Sequence, residues 1–95
     1  MRPFEGFVWD EPKREHNLRK HAIDFADAIA VFDGPHLVKR SSYSAEPRFV
    51  ALGLLFELEI VVVYTVRKRK CRLISARRAH SRERDEYHEA LRKRR

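Results

Sequence analysis

The sequence has 95 residues, 43% of them hydrophobic, enough for one domain with a single modest core. Its lone cysteine, Cys71, excludes an internal disulfide framework and a cysteine-based zinc site, and suits a small buried position in a reduced compartment. The net charge of +7 is unevenly placed: residues 1–66 hold 8 Lys and Arg against 10 Asp and Glu, while residues 67–95 hold 13 against 4. All the excess lies in the last third, which points to a polyanion or an acidic protein as partner. No apolar run approaches the roughly 20 residues that span a bilayer, and the N-terminus lacks a signal-peptide core. A cytoplasmic protein with no membrane partner is therefore expected.

No repeat, linker or low-complexity block divides the chain, so residues 1–95 are expected to form a single unit. Residues 1–6 read as a loose N-terminal extension, and "FVWD", 7–10, as a short strand ending at a helix cap. Asp10 suits the N-cap, Glu11 suits the positive end of the helix dipole, and Pro12 is tolerated in the first turn. This helix should run to about His21. Asp24 caps a second helix, whose apolar stripe is Phe25, Ile29 and Phe32 with Ala28 beside them, and "DGP", 33–35, ends it.

From there the pattern is strand-like. "HLVKR" and "RFVALGLL" are separated by the polar turn "SSYSAEP", and "EIVVVYTV", 59–66, reads as a strand buried on both faces. "RKRK", 67–70, is a charged hairpin tip, and "CRLISARR", 71–78, returns alongside. Ser81 is expected to cap a last helix over 82–93 with Tyr87, Ala90 and Leu91 inward, and residues 92–95 form a basic tail. The order βααββββα implies an α+β fold: a small antiparallel sheet with helices packed mainly on one face. One face of the sheet can then stay open and hold an extended ligand.

Several chemistries are disfavoured by spacing. His16 and His21 are five apart, roughly 140° round a helix, so they cannot grip one ion from one face. No carboxylate pair suits a two-metal nuclease, so no metal and no cofactor is expected. Ser75 and Ser81 lack a glycine-rich elbow, Cys71 lacks an activating partner, and 3 glycines leave no phosphate-cradling loop.

A cationic set remains: Lys20, His21, Arg48, Tyr64, Arg77, Arg78 and His80. Metal-free RNA cleavage needs only such groups, because the ribose 2′-hydroxyl attacks the neighbouring phosphate. A base takes its proton, an acid protonates the leaving 5′-oxygen, and Arg or Lys neutralises the charge on the phosphorane. Arg67, Lys68, Arg69, Lys70, His80 and Arg82 are the expected RNA contacts. Blander roles stay open, since His21 shares a helix face with Leu18 and Asn17, and Tyr64 in a valine strand can be core. Arg77 and Arg78 must face opposite sides of their strand, and Arg77 is the one assigned to the substrate phosphate.

"FVWDEPKREHNLRKHAIDFADAIAVFDGP", 7–35, resembles the opening of BrnT-like toxins, and "RFVALG", "VVVYT" and "RLISARRAHSRERDEY" match later blocks of that family in order. The resemblance spans residues 7–91. It implies a RelE-like ribonuclease fold and the toxin half of a type II toxin–antitoxin system, inhibiting translation by metal-independent RNA cleavage. It also implies a BrnA-like antitoxin as partner, and contact with operator DNA only through the antitoxin complex. By motif position, N-L-R-K-H supplies Lys20 and His21, R-x-x-A-x-G supplies Arg48, V-V-Y-T supplies Tyr64, and I-S-A-R-R supplies Arg77 and Arg78 as catalytic candidates. The alternative is a non-catalytic nucleic-acid-binding or operon-repressor subunit with a toxin fold.

Two departures stand out. Ala22 replaces the family's glycine after K-H, so this helix end is expected to take another conformation if the position needs positive φ. "LLFELEI" replaces a polar, glycine-containing turn, so Leu54, Leu55 and Phe56 are expected to form an exposed patch that contacts a partner.

Overall fold

The computed structural model describes residues 4–41 and 45–93. In chain order they form β1 (Gly6–Val8), α1 (Glu11–His21), α2 (Phe25–Ala28), a 3₁₀ segment (Ile29–Asp33), β2 (Leu37–Ser41), β3 (Arg48–Leu55), β4 (Leu58–Arg67), β5 (Lys70–Arg78) and α3 (Ser81–Lys93). One five-stranded sheet runs β1-β5-β4-β3-β2. Strands β2 to β5 are antiparallel, as expected, whereas β1 joins the edge of β5 in parallel.

Residues 4–6 are part of the fold rather than a loose extension. The Phe4 ring packs edge-on against Phe7, Phe32 and Tyr64 at 5.4–5.8 Å, and the Glu5 N–H donates to the Arg69 carbonyl at 2.9 Å. Residues 1–3 and the end of the basic tail, 94–95, lie outside the described residues.

The helix signals act as anticipated. The Asp10 carboxylate accepts from the Lys13 N–H, and Asp24 accepts from the Ala26 N–H. The stripe of the second helix departs at one residue, however. Phe25, Ala28 and Phe32 are buried, but after Ala28 the backbone tightens to a 3₁₀ segment, which turns Val31 into the core and leaves Ile29 half-buried. Gly53 of β3 admits this segment: a Cβ there would meet Val31 Cγ1 at 2.7 Å.

Ala22 takes the left-handed conformation after all, at φ 60°, and its N–H closes α1 on the Leu18 carbonyl. The helix end keeps the shape a glycine would give it, at a backbone cost of about 1 kcal/mol. Both hairpin tips use the same device. Phe56–Glu57 and Lys68–Arg69 all have positive φ, as two-residue I′-type turns require, with no glycine among them.

The two faces of the sheet differ. On one, α2 and the 3₁₀ segment cover Ala51, Leu55, Ile60, Val62, Tyr64 and Leu73 in the main core. On the other, α3 sets Tyr87 against Leu52, Val61 and Ala79, while Val50, Val63 and Ser75 stay half-buried beyond it. Helix α3 begins one residue earlier than its serine suggests. The His80 carbonyl accepts the Arg84 N–H, so His80 is the capping residue, and the Glu83 carboxylate reaches back to the His80 N–H at 2.8 Å. No helix among the described residues is long and apolar enough to cross a membrane.

Candidate functional site

Helix α1 lies along the outer edge of β5, beyond the three residues that β1 covers. Its attachment is polar. Asn17, 4% exposed, donates through Nδ2 to the Ala76 carbonyl at 2.9 Å and accepts the Ala76 N–H through Oδ1 at 3.1 Å. One carboxamide thus completes the ladder of β5 where a strand would otherwise be needed. The same Nδ2 donates to the Ile23 carbonyl, which fixes the chain just past the helix.

Lys13, His16, Asn17, Lys20 and His21 recur at i, i+3, i+4, i+7 and i+8, so one face of α1 carries all five. With Asn17 locked onto β5, that face and Pro12 line an open cavity of about 390 Å³ against Ile74 and Ser75. Val63 pairs with Ser75 and Tyr64 with Leu73, so Ile74 is an extra residue that bulges β5 at this point.

Arg77 borders the same region. It pairs with Val61 and so shares the half-open face, while Arg78 pairs with Ile60 and faces the opposite side. The Arg77 guanidinium is doubly bonded to Glu83, both N···O distances being 2.9 Å, and it also donates to the Arg78 carbonyl at 3.2 Å. Glu83 is pulled down to about 2 by this pairing and by the His80 N–H, and Arg77 is raised. Burial, together with the positive charges of Lys20 and Arg77 and the neighbouring His16, lowers the His21 pKa below its ordinary 6.5. His21 is therefore neutral near pH 7 and can accept a proton. Among the described residues, no ion pair engages Lys20.

A second cationic group lies four residues further along β4, about 13 Å away. Arg72 pairs with Thr65, and Arg48 precedes the Tyr64 partner Phe49, so both face the half-open side. Arg67 holds Glu46 through two bonds of 2.8 and 3.0 Å, and the charges of Arg48 and Arg72 help keep that carboxylate below its ordinary value. The Arg48 Nε is buried without a hydrogen-bond partner among the described residues.

Of the catalytic candidates, Lys20, His21 and Arg77 come together. Arg48 belongs to the second group, and Arg78 is exposed on the other side of β5. Tyr64 is a correction: it is 4% exposed, stacked on Phe49 and edge-on to Phe4 and Phe32, and burial pushes its hydroxyl up to about 12. Even residues of β4 face the main core, so Tyr64 cannot touch a ligand on the half-open face. Among the RNA-contact candidates, Arg67 is held by Glu46 and Arg69 lies 3.5 Å from Glu5, while Lys68, Lys70, His80 and Arg82 are exposed. In the hydrophobic hairpin, Phe56 is 81% exposed and Leu54 40%, but Leu55 is 6% exposed because it faces the main core. Lys13 was not singled out by sequence reasoning, and His16 and Ser75 were weighed only as a metal ligand and a nucleophile and set aside, although the polar stripe along α1 was there to be read. Among the described residues, no three His, Cys, Asp or Glu side chains are grouped to hold a metal ion.

Comparison with known proteins agrees with this architecture. Residues 9–83 match the family described as the ribonuclease toxin, BrnT, of type II toxin–antitoxin systems. The crystal structure of the Brucella abortus ribonuclease toxin BrnT superposes with a TM-score of 0.63 at 33% identity, covering 80% of this chain and 97% of that one. Among curated proteins, no sequence matches significantly. The chain belongs to the BrnT family of ribonuclease toxins of type II toxin–antitoxin systems.

Proposed function

We propose that this toxin is a metal-independent endoribonuclease whose chemistry sits where α1 meets β5. The observation that carries it is the shared cavity of Lys20 and His21, next to Arg77. A neutral His21 accepts the 2′-hydroxyl proton as that oxygen attacks phosphorus. Lys20 neutralises the charge that builds on the phosphorane and donates hydrogen bonds to the departing 5′-oxygen, which is protonated from solvent. Burial of His21 and the charges of Lys20 and Arg77 keep its imidazole deprotonated, while Glu83 holds the Arg77 guanidinium in place. Arg48, Arg72, Lys68 and Lys70 guide the RNA backbone along the open face, with His80 and Arg82 beyond Arg77. Cleavage of messenger RNA in this way inhibits translation.

A type II family implies an antitoxin, and a BrnA-like protein is the proposed partner, bringing contact with operator DNA only through the complex. Leu54 and Phe56 at the β3–β4 tip are proposed to dock it. Phe56→Ser should weaken heterocomplex affinity by about tenfold or more if the ring fills a pocket, and an unchanged dissociation constant would remove the tip from the interface.

One observation favours a second reading, a toxin fold that binds nucleic acid without cutting it: the Arg77 guanidinium is already occupied by Glu83. Incubating the purified chain with RNA in EDTA separates the two. Cleavage leaving 2′,3′-cyclic phosphate ends, lost in Lys20→Ala, is expected. Salt-sensitive binding without cleavage would support the second reading.

A further inference from the structure

We infer that the cavity between α1 and β5 is a nucleobase subsite, and that it takes guanine unstacked from single-stranded RNA beside the scissile phosphate. The inference rests on the ribonuclease reading but adds what the site recognises. At about 390 Å³ the cavity is far larger than a phosphate group needs, and Lys20 and His21 occupy only one end of it. The rest suits a flat heterocycle. Pro12 and Ile74 supply apolar walls, and the His16 imidazole supplies a face for stacking.

Hydrogen-bonding groups are present and unspent. The side chains of Lys13, His16 and Ser75 make no hydrogen bond or ion pair among the described residues. Asn17, by contrast, is fully used on backbone. On its outer side β5 pairs with β1 only as far as Arg72 and with Asn17 at Ala76, so the bulged stretch between them borders the cavity with no strand beside it. Lys13 is a donor without acceptor capacity, and guanine offers two adjacent acceptors, O6 and N7, on one edge. The Ser75 hydroxyl can donate or accept against the remaining edge. None of these three side chains holds the fold together, so they are free to read a base.

The test uses dinucleotides whose first sugar is 2′-deoxy and therefore cannot be cleaved: GpU, ApU, CpU and UpU. Binding to the full chain is followed by titration calorimetry and by the shift of the His16 ring protons. GpU is expected to bind about tenfold or more tighter than CpU or UpU. Lys13→Ala should abolish that preference, and His16→Ala should weaken all four dinucleotides alike. Both residues are solvent-exposed on α1, so circular dichroism should be unchanged. Equal affinity for the four dinucleotides, or a guanine preference surviving Lys13→Ala, overturns the subsite. Because no cleavage is needed, failure of the ribonuclease reading with guanine-selective binding intact is a separate result.

Discussion

The two ends of the half-open sheet face carry similar charge but differ in chemistry. At the α1 end, Lys20 and His21 line a cavity, and burial together with the charges of Lys20 and Arg77 leaves the imidazole neutral. At the β4–β5 hairpin end, Arg48, Arg67 and Arg72 surround Glu46, with no histidine among the four. Arginine keeps its proton at any physiological pH, so the hairpin end can bind phosphate but cannot exchange protons with it. Positive charge alone does not mark an active site. A neutral imidazole beside that charge is what sets the proposed centre apart.

That contrast can be broken or sharpened experimentally. His21→Ala should lower kcat about 10²–10⁴-fold, as loss of a general base does. The wild-type rate should be full above pH 6.5 and fall as pH drops through the lowered His21 value, because the base works only when deprotonated. The limb is read from kcat/KM against pH, and a limb above 6.5 would assign it to another group.

Asn17→Ala should cost about 3 kcal/mol in urea denaturation, since it strips the Ala76 N–H and carbonyl and the Ile23 carbonyl of their partner. Its loss should detach α1 and impair chemistry far more than RNA binding. Glu83 gives a gentler effect. Its carboxyl is held near 2 against an ordinary 4.5, so its contribution to stability is present above about pH 4.5 and lost as pH falls through 2. Melting temperatures measured from pH 5 to 2 should therefore decline less steeply in Glu83→Gln. Ala22→Gly is the mildest, a gain of about 1 kcal/mol in the same denaturation assay with cleavage unchanged.

Much of this arrangement is written locally in the chain. Asp10, Asp24 and the strand runs set their elements through caps and side-chain periodicity, which act over a few residues. What escaped depended on distant partners. Tyr64 is drawn into the core by Phe4 and Phe32, and the loose reading of residues 1–6 hid the first of these. Val31 replaced Ile29 because Gly53, in another strand, lets a 3₁₀ turn sit close. Arg77 was assigned to phosphate, yet the Glu83 that holds it lies six residues on, across a strand–helix junction. In α1 the stripe of Lys13, His16, Asn17, Lys20 and His21 is as periodic as any core face; Lys20 and His21 are legible in it as catalytic candidates, but the bond of Asn17 to β5 that seats the stripe is not.

The most direct test of the contrast is to compare Lys20→Ala with Arg48→Ala in single-turnover cleavage at saturating RNA, in EDTA. If chemistry belongs to the α1 end, Lys20→Ala should slow the cleavage step by about 100-fold or more, while Arg48→Ala weakens binding and leaves that step within about tenfold. A cleavage step abolished by Arg48→Ala and untouched by Lys20→Ala would place the active centre at the hairpin end and contradict the account.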